Sequence, residues 1–266
     1  MDASADPLHV LQITDPHLMG DPEGRLLGIN TRQTLEAVLA HVRVHYGQPD
    51  LVLATGDISQ DGSDDSYRWF REQTAFFEGP VFWTAGNHDV LPAMERATRG
   101  TRSAERRYRS HGWQLICLDS SVPDQVHGRL GDQELAYLDA CLREYPRDHA
   151  LVSLHHHPIR VGAEWMNAIG LQDHDAFFEV LARHEQVRGL LWGHIHQSLD
   201  QEVNGWRMLA SPSTCVQFLP GSETFAVDAV PPGYRWLALY PDGRIRTGVE
   251  RIADDDYGLE LDSVGY

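Results

Sequence analysis

Five short apolar runs in this chain each lead into side chains able to bind a metal ion, and their order constrains the fold more than any other feature. The run beginning at Leu8 leads into Asp15-Pro16-His17, the one at Asp50 into Gly56-Asp57, and the one at Pro80 into Gly86-Asn87-His88-Asp89. Further along, the run from Ala150 ends in His155-His156-His157-Pro158, and the run from Arg188 ends in Gly193-His194-Ile195-His196. Short runs rich in Val, Leu and Ile read as buried strands, and open α/β sheets place their sites at strand carboxyl ends. One such carboxylate or imidazole is ordinary, because these groups also cap loops and helix starts. Five in succession point to a single constellation assembled from distant parts of the chain.

The pattern predicts strands over 8–14, 50–55, 80–85, 113–118, 150–154 and 188–192. Amphipathic helices are expected over 31–46, where Leu35, Val38, Leu39 and Val42 recur at helical spacing, and over 132–143, with Leu135, Leu138 and Leu142. After residue 196 the pattern turns to hairpins, with Asn204-Gly205 and Asp242-Gly243 as tight turns between apolar runs. The carboxyl third is therefore expected to supply antiparallel strands. We expect one domain over 1–266, of two facing sheets flanked by helices, with a metal-site core at 8–196, a β-rich part at 197–252 and an acidic tail at 253–266. The arginine-rich stretch 96–109 reads as a solvated helical face and the tail as frayed or loosely docked.

Composition removes several function classes. The 22 basic residues are outnumbered by 39 acidic ones, giving a formal charge of −17, so the overall field repels nucleic acid and anionic membranes. Every basic residue is arginine, which excludes the Walker-type phosphate loop and lysine Schiff-base chemistry. The three cysteines, Cys117, Cys141 and Cys215, are too widely spaced for a thiolate zinc motif or a disulfide framework, which fits a reducing cytoplasm. Neither a secretory signal nor a membrane helix is read in the sequence.

Imidazole nitrogens with carboxylate and amide oxygens suit manganese, iron, cobalt or zinc, and match magnesium or calcium alone poorly. Asp15, His17, Asp57, Asn87, His155, His194 and His196 are more ligands than one open site would use. Two ions sharing a carboxylate satisfy them all.

The motifs D-x-H, G-D, G-N-H-D, H and G-H-x-H in this order resemble the calcineurin-type metallophosphoesterases, over residues 8 to 196. The connecting text, including Leu26-Leu27-Gly28-Ile29-Asn30-Thr31 and the stretch 211–218, is closer still to the bacterial class III cyclic-nucleotide phosphodiesterases that act on 3′,5′-cyclic AMP. The stretch 211–218 reads as a subfamily mark with no part in metal binding. The resemblance implies a four-layer αββα sandwich of two mixed sheets. It places Asp15, His17, Asp57 and His196 on a first ion and Asn87, His155 and His194 on a second, with Asp57 bridging. His88 then faces the substrate phosphate and protonates the leaving oxygen, Asn87 polarises from the metal side, and Asp89 orients His88. The implied reaction is attack by a metal-bridging hydroxide on 3′,5′-cyclic AMP, giving 5′-AMP and lowering intracellular cyclic AMP.

Substrate contacts are expected from His17, Asn87, His88, His156 and His196. His156 stays open between such a contact, a supporting role for a ligand, and structure; His157 reads as turn. The cap at Trp165-Met166-Asn167 and 211–218 offers candidates for purine and ribose contacts. Another small ester, such as a 2′,3′-cyclic nucleotide or a glycerophosphodiester, is the alternative substrate within the fold, and a non-catalytic scaffold the alternative outside it. The oligomeric state, homo-oligomer included, stays open.

Overall fold

The computed structural model describes residues 6–253, 255–263 and 265. The first apolar run forms β1 (Leu8–Ile13). A small ladder of β2 (Arg25–Leu26) and β3 (Ile29–Asn30) leads to α1 (Thr31–His45), β4 (Leu51–Ala54), α2 (Asp64–Thr74), β5 (Val81–Trp83) and α3 (Leu91–Thr98). Next come β6 (Arg107–Ser110), β7 (Trp113–Cys117), α4 (Gly131–Glu144), β8 (His149–Ser153), the one-turn α5 (Glu164–Asn167), α6 (His174–Leu181) and β9 (Val187–Trp192). The carboxyl part contains β10 (Leu199–Val203), β11 (Trp206–Ala210), the short pair β12 (Gln217–Phe218) and β13 (Val227–Asp228), then β14 (Gly233–Leu239) and β15 (Ile245–Arg251).

Two mixed sheets result, ordered β15-β14-β1-β4-β5 and β10-β11-β9-β8-β7-β6. Successive side chains of a strand point to opposite faces, and this alternation builds the layers. Leu8, Val10, Leu51, Leu53, Leu151 and Leu191 pack together between the sheets. Their neighbours on the first sheet, Leu11, Ile13, Val52 and Ala54, face the other way onto α1 and α2 through Leu35, Val38 and Phe70. On the second sheet, Val152, Leu190 and Trp192 pack on α4 and α6 through Leu138, Leu142 and Phe177. Helix, sheet, sheet and helix are the four layers expected. α1 begins where the Asn30 side chain accepts from the amides of Arg32 and Gln33, satisfying helix-end donors that have no partner inside the helix.

Two expectations are corrected and a third, the tail, is made specific. The carboxyl third is not wholly antiparallel: β10 and β11 form the expected hairpin, yet β11 runs parallel to β9, while β14 and β15 return to the first sheet beside β1. The stretch 96–109 is α-helical only at its start and makes one 3₁₀ turn at Arg102–Ala104. It then forms β6, an edge strand antiparallel to β7. Its arginines are mostly spent on carboxylates, with Arg96 on Asp64, Arg102 on Glu105, Arg106 on Glu134, Arg107 on Glu144 and Arg109 on Asp148. The tail, apart from Asp254, Val264 and Tyr266, which lie outside the described residues, docks: the Glu260 amide donates to the Leu27 carbonyl at 2.9 Å, and Tyr257 and Leu259 pack against the core.

Candidate metal centre

The loops after β1, β4 and β5 of one sheet and after β8 and β9 of the other converge. Ligand atoms of Asp15, His17 and His196 lie within 4.8 Å of one another, as do those of Asp15, Asp57 and His155. The backbone is bent to achieve this. Asp15, His17, Asp57, His194 and His196 all have positive φ, between 47° and 65°, a region uncommon for residues other than glycine that concentrates at functional sites. Two motif glycines supply space. A Cβ on Gly86 would lie 2.2 Å from Asp57 Oδ1, and one on Gly56, itself at φ 105°, would lie 2.3 Å from His155 Nδ1.

The protonation of the rings follows from their outer partners. A carbonyl oxygen only accepts, so the ring nitrogen facing it carries the hydrogen. His17 Nδ1 faces Gln60 Oε1 at 2.6 Å, and His196 Nδ1 faces the Val216 carbonyl at 2.9 Å. His155 Nδ1 faces the Thr55 carbonyl at 2.8 Å, and His194 Nε2 the Ile169 carbonyl at 3.0 Å. The remaining nitrogens therefore turn lone pairs inward in two groups. In one, His17 Nε2 and His196 Nε2 are 3.1 Å apart, with Asp15 Oδ1 3.4 Å from His196 Nε2 and Asp57 Oδ2 3.7 Å from His17 Nε2. In the other, His155 Nε2 is 3.2 Å from His194 Nδ1, 3.2 Å from Asp57 Oδ2 and 3.3 Å from Asn87 Oδ1. Electron-pair donors so close need a metal ion or a proton between them, and fixing ligand tautomers through outer carbonyls is what metal sites require. The residues present fit two ions with Asp57 between them.

Electrostatics agree. Burial pushes His17 down to about 3 and His194 well below the usual imidazole range, keeping both neutral. Burial works against the Asp15 and Asp57 carboxylates, but His196 beside Asp15 and His155 beside Asp57 outweigh it, and both stay below the ordinary carboxyl range. Neutral imidazole and ionised carboxylate are the forms that bind metal. His155 differs: burial opposes its charge, yet Asp57 prevails and raises it to about 9, so in the metal-free protein a proton occupies the second group.

The other expected site residues divide. His88 is part-exposed beside the centre, its ring 5.0 Å from that of His17 and its amide donating to Asp57 Oδ1 at 2.9 Å. Asp89, expected to orient His88, is engaged with the loop backbone. Its carboxylate accepts from the amides of Ile58, Ser59 and Gly86 and from the Tyr67 hydroxyl, tying the Gly56-Asp57 loop to the loop of Asn87. His156 is fully buried with both nitrogens engaged, Nδ1 with Ser120 Oγ and Nε2 with the Val126 carbonyl, so the geometry leaves it no nitrogen for a substrate. His157 is buried and stacked on His194.

The cap residues have partners within the fold. Trp165 packs on Phe218 and Phe225 and donates to Ser222, Met166 is buried, and Asn167 Oδ1 accepts from the Val161 amide. The stretch 211–218 supports the ligands directly. Ser213 Oγ donates to the Asp15 carbonyl at 2.7 Å, and Phe218 stacks on the His196 ring at 4.2 Å. Sequence reasoning missed Gln60, for which the only signal is a polar side chain three residues after Asp57, and it missed the backbone carbonyls, for which there is none.

The calcineurin-like phosphoesterase pattern matches residues 8–198. The chain is 46% identical over 257 residues, 97% of its length and 94% of the relative's, to a Pseudomonas aeruginosa protein named 3′,5′-cyclic adenosine monophosphate phosphodiesterase CpdA. It is 42% identical over 261 residues to the Escherichia coli K12 protein of the same name, covering 97% and 95% of the two chains. Among solved structures, a dimetal phosphatase from Danio rerio superposes with a TM-score of 0.64 at 16% identity, over 93% of this chain and 100% of that one. A purple acid phosphatase from yellow lupin gives 0.60 at 14% identity, over 94% and 55%.

Proposed function

The chain belongs to the calcineurin-like phosphoesterase family, and from that premise we propose that it hydrolyses 3′,5′-cyclic AMP to 5′-AMP in the cytoplasm, at a centre of two metal ions. The observation that carries the metal part is the pair of inward-facing lone-pair groups sharing Asp57. The substrate part rests on relatives of that name aligned over nearly the whole chain. Among the described residues no helix is long and apolar enough to cross a membrane.

Asp15, His17, Asp57 and His196 would hold one ion, and Asp57, Asn87, His155 and His194 the other. Iron and manganese suit this donor set best, with zinc and cobalt also compatible. Bound there, the ions would supply Lewis acidity, activating a water as nucleophile and neutralising the phosphoryl oxygens. The protein does the rest. Asp57 spans both groups through Oδ2 while its Oδ1 holds the His88 amide, so the shared ligand and the substrate-side histidine move as one unit. His88, part-exposed at the rim, would donate a proton to the departing 3′ oxygen, a contribution of order 10²–10⁴-fold. Asn87 presents its amide to the same phosphate.

The test is turnover by the manganese- or iron-loaded protein. We expect cyclic AMP to give 5′-AMP with a higher kcat/KM than 2′,3′-cyclic nucleotides or glycerophosphodiesters. If cyclic AMP and an aryl phosphodiester both remain intact, the enzyme reading fails; if another ester ranks first, the substrate assignment fails.

A further inference from the structure

The expected cap residues are engaged within the fold, and another surface beside the centre is open to the substrate base. A cavity of about 360 Å³ opens beside the centre and is lined by Gly86 and Asn87, the size range of small-ligand sites. Four other cavities, around Met94, Gln217, His157 and Tyr234, are lined by none of the seven ligand candidates. Two apolar segments face the cavity at Asn87, Val90, Leu91 and Pro92 from the start of α3 and Val122 and Pro123 from the loop after β7, with Asp89, Ser121 and Asp124 as polar residues beside them. Val90 and Leu91 are 45% and 37% exposed, so apolar side chains are left open to solvent at the edge of a metal centre. Exposed apolar surface placed beside a polar site marks a ligand groove.

Both walls are set in advance. The Tyr67 hydroxyl accepts from the Val90 amide at 2.8 Å and donates to Asp89, which holds the Asn87 loop. Opposite, Asp119 takes both the amide and the hydroxyl of Ser121, and its own amide is held by Glu134. We infer that this cleft is the base site of the cyclic nucleotide, taking a purine ring between Val90-Leu91-Pro92 and Val122-Pro123 while the phosphate lies at Asn87. The inference rests on the cyclic-nucleotide reading above and extends it to the residues that select the base.

The test compares cyclic AMP with ribose 3′,5′-cyclic phosphate, which lacks the base, on the metal-loaded protein and the double variant Leu91→Ala/Val122→Ala. Loss of apolar contact should raise KM for cyclic AMP about tenfold and leave kcat/KM for the baseless ester within about twofold. Calorimetric binding of a slowly hydrolysed phosphorothioate analogue of cyclic AMP should weaken by the same factor. A second variant, Val90→Ser, puts a favoured residue at the α3 N-cap and should act in the same direction without loss of fold. Equal losses on both substrates, or no loss on either, overturn the base site. So does a wild-type protein that cleaves the baseless ester as well as cyclic AMP, which would leave the phosphodiesterase reading standing. A wild-type protein that cleaves neither overturns both.

Discussion

His155 carries its charge against the effect of burial, held by Asp57 Oδ2 at 3.2 Å, whereas His17 and His157 are kept neutral by burial. These opposite shifts give the metal-free protein a defined pH response. For His17, at about 3, and His157, at about 4, the folded values lie below the unfolded value of 6.5. The unfolded state therefore binds more protons below pH 6.5, and stability falls on acidification by about 1.4 kcal/mol per pH unit for each such imidazole. His155 acts in the other direction, with its folded value at about 9. Its contribution is complete below pH 6.5 and is lost as pH rises through 9. Urea midpoints of the chelated protein should drop between pH 6.5 and 4.5, and His157→Gln should flatten that slope. A midpoint constant over this interval would contradict the neutral buried imidazoles.

At the scale of elements, strand positions were readable because buried strands leave unbroken apolar runs, and the predicted strands fall within a residue or two of β1, β4, β5, β7, β8 and β9. α2 was not foreseen, since charge dominates Asp64–Thr74 and only Tyr67 and Phe70 anchor its buried face among polar residues. β6 was hidden by its arginines, which an edge strand tolerates with its side chains on solvent and carboxylates. The chemistry of the site was legible as residue types at strand ends. Its construction was not, because the tautomers depend on carbonyls of Thr55, Ile169 and Val216 that any residue would provide. The segment 211–218 shows the difference most clearly. Ser213 Oγ donates to the Asp15 carbonyl and accepts from the Cys215 amide, so Ser213→Ala leaves the buried Cys215 amide unpaired, at about 1–3 kcal/mol, and leaves the Asp15 carbonyl only the weak Cys215 thiol donor. Chelator competition should show the first ion bound about 10–100-fold more weakly in this variant. Unchanged affinity alongside a lower Tm would reduce the segment to a merely structural role.

On the scale of the whole molecule, the proposed ligands come from both sheets: Asp15, His17, Asp57 and Asn87 follow strands of the first, and His155, His194 and His196 follow strands of the second. Ions held there would clip the two halves of the sandwich together. They would also resolve the charge problem of an acidic protein that takes an anion. The formal −17 repels polyanions at long range, but close to the centre two divalent ions against the Asp15 and Asp57 carboxylates leave net positive charge. The central claim is therefore the dinuclear centre with Asp57 shared and His88 outside it. Its most direct test is metal content per chain with turnover and Tm for the wild type, Asp57→Ala and His88→Ala. The account predicts two ions in the wild type, loss of both ions with activity and several degrees of Tm in Asp57→Ala, and two ions with greatly reduced turnover in His88→Ala. One ion in the wild type, or equal metal loss in the two variants, would contradict it.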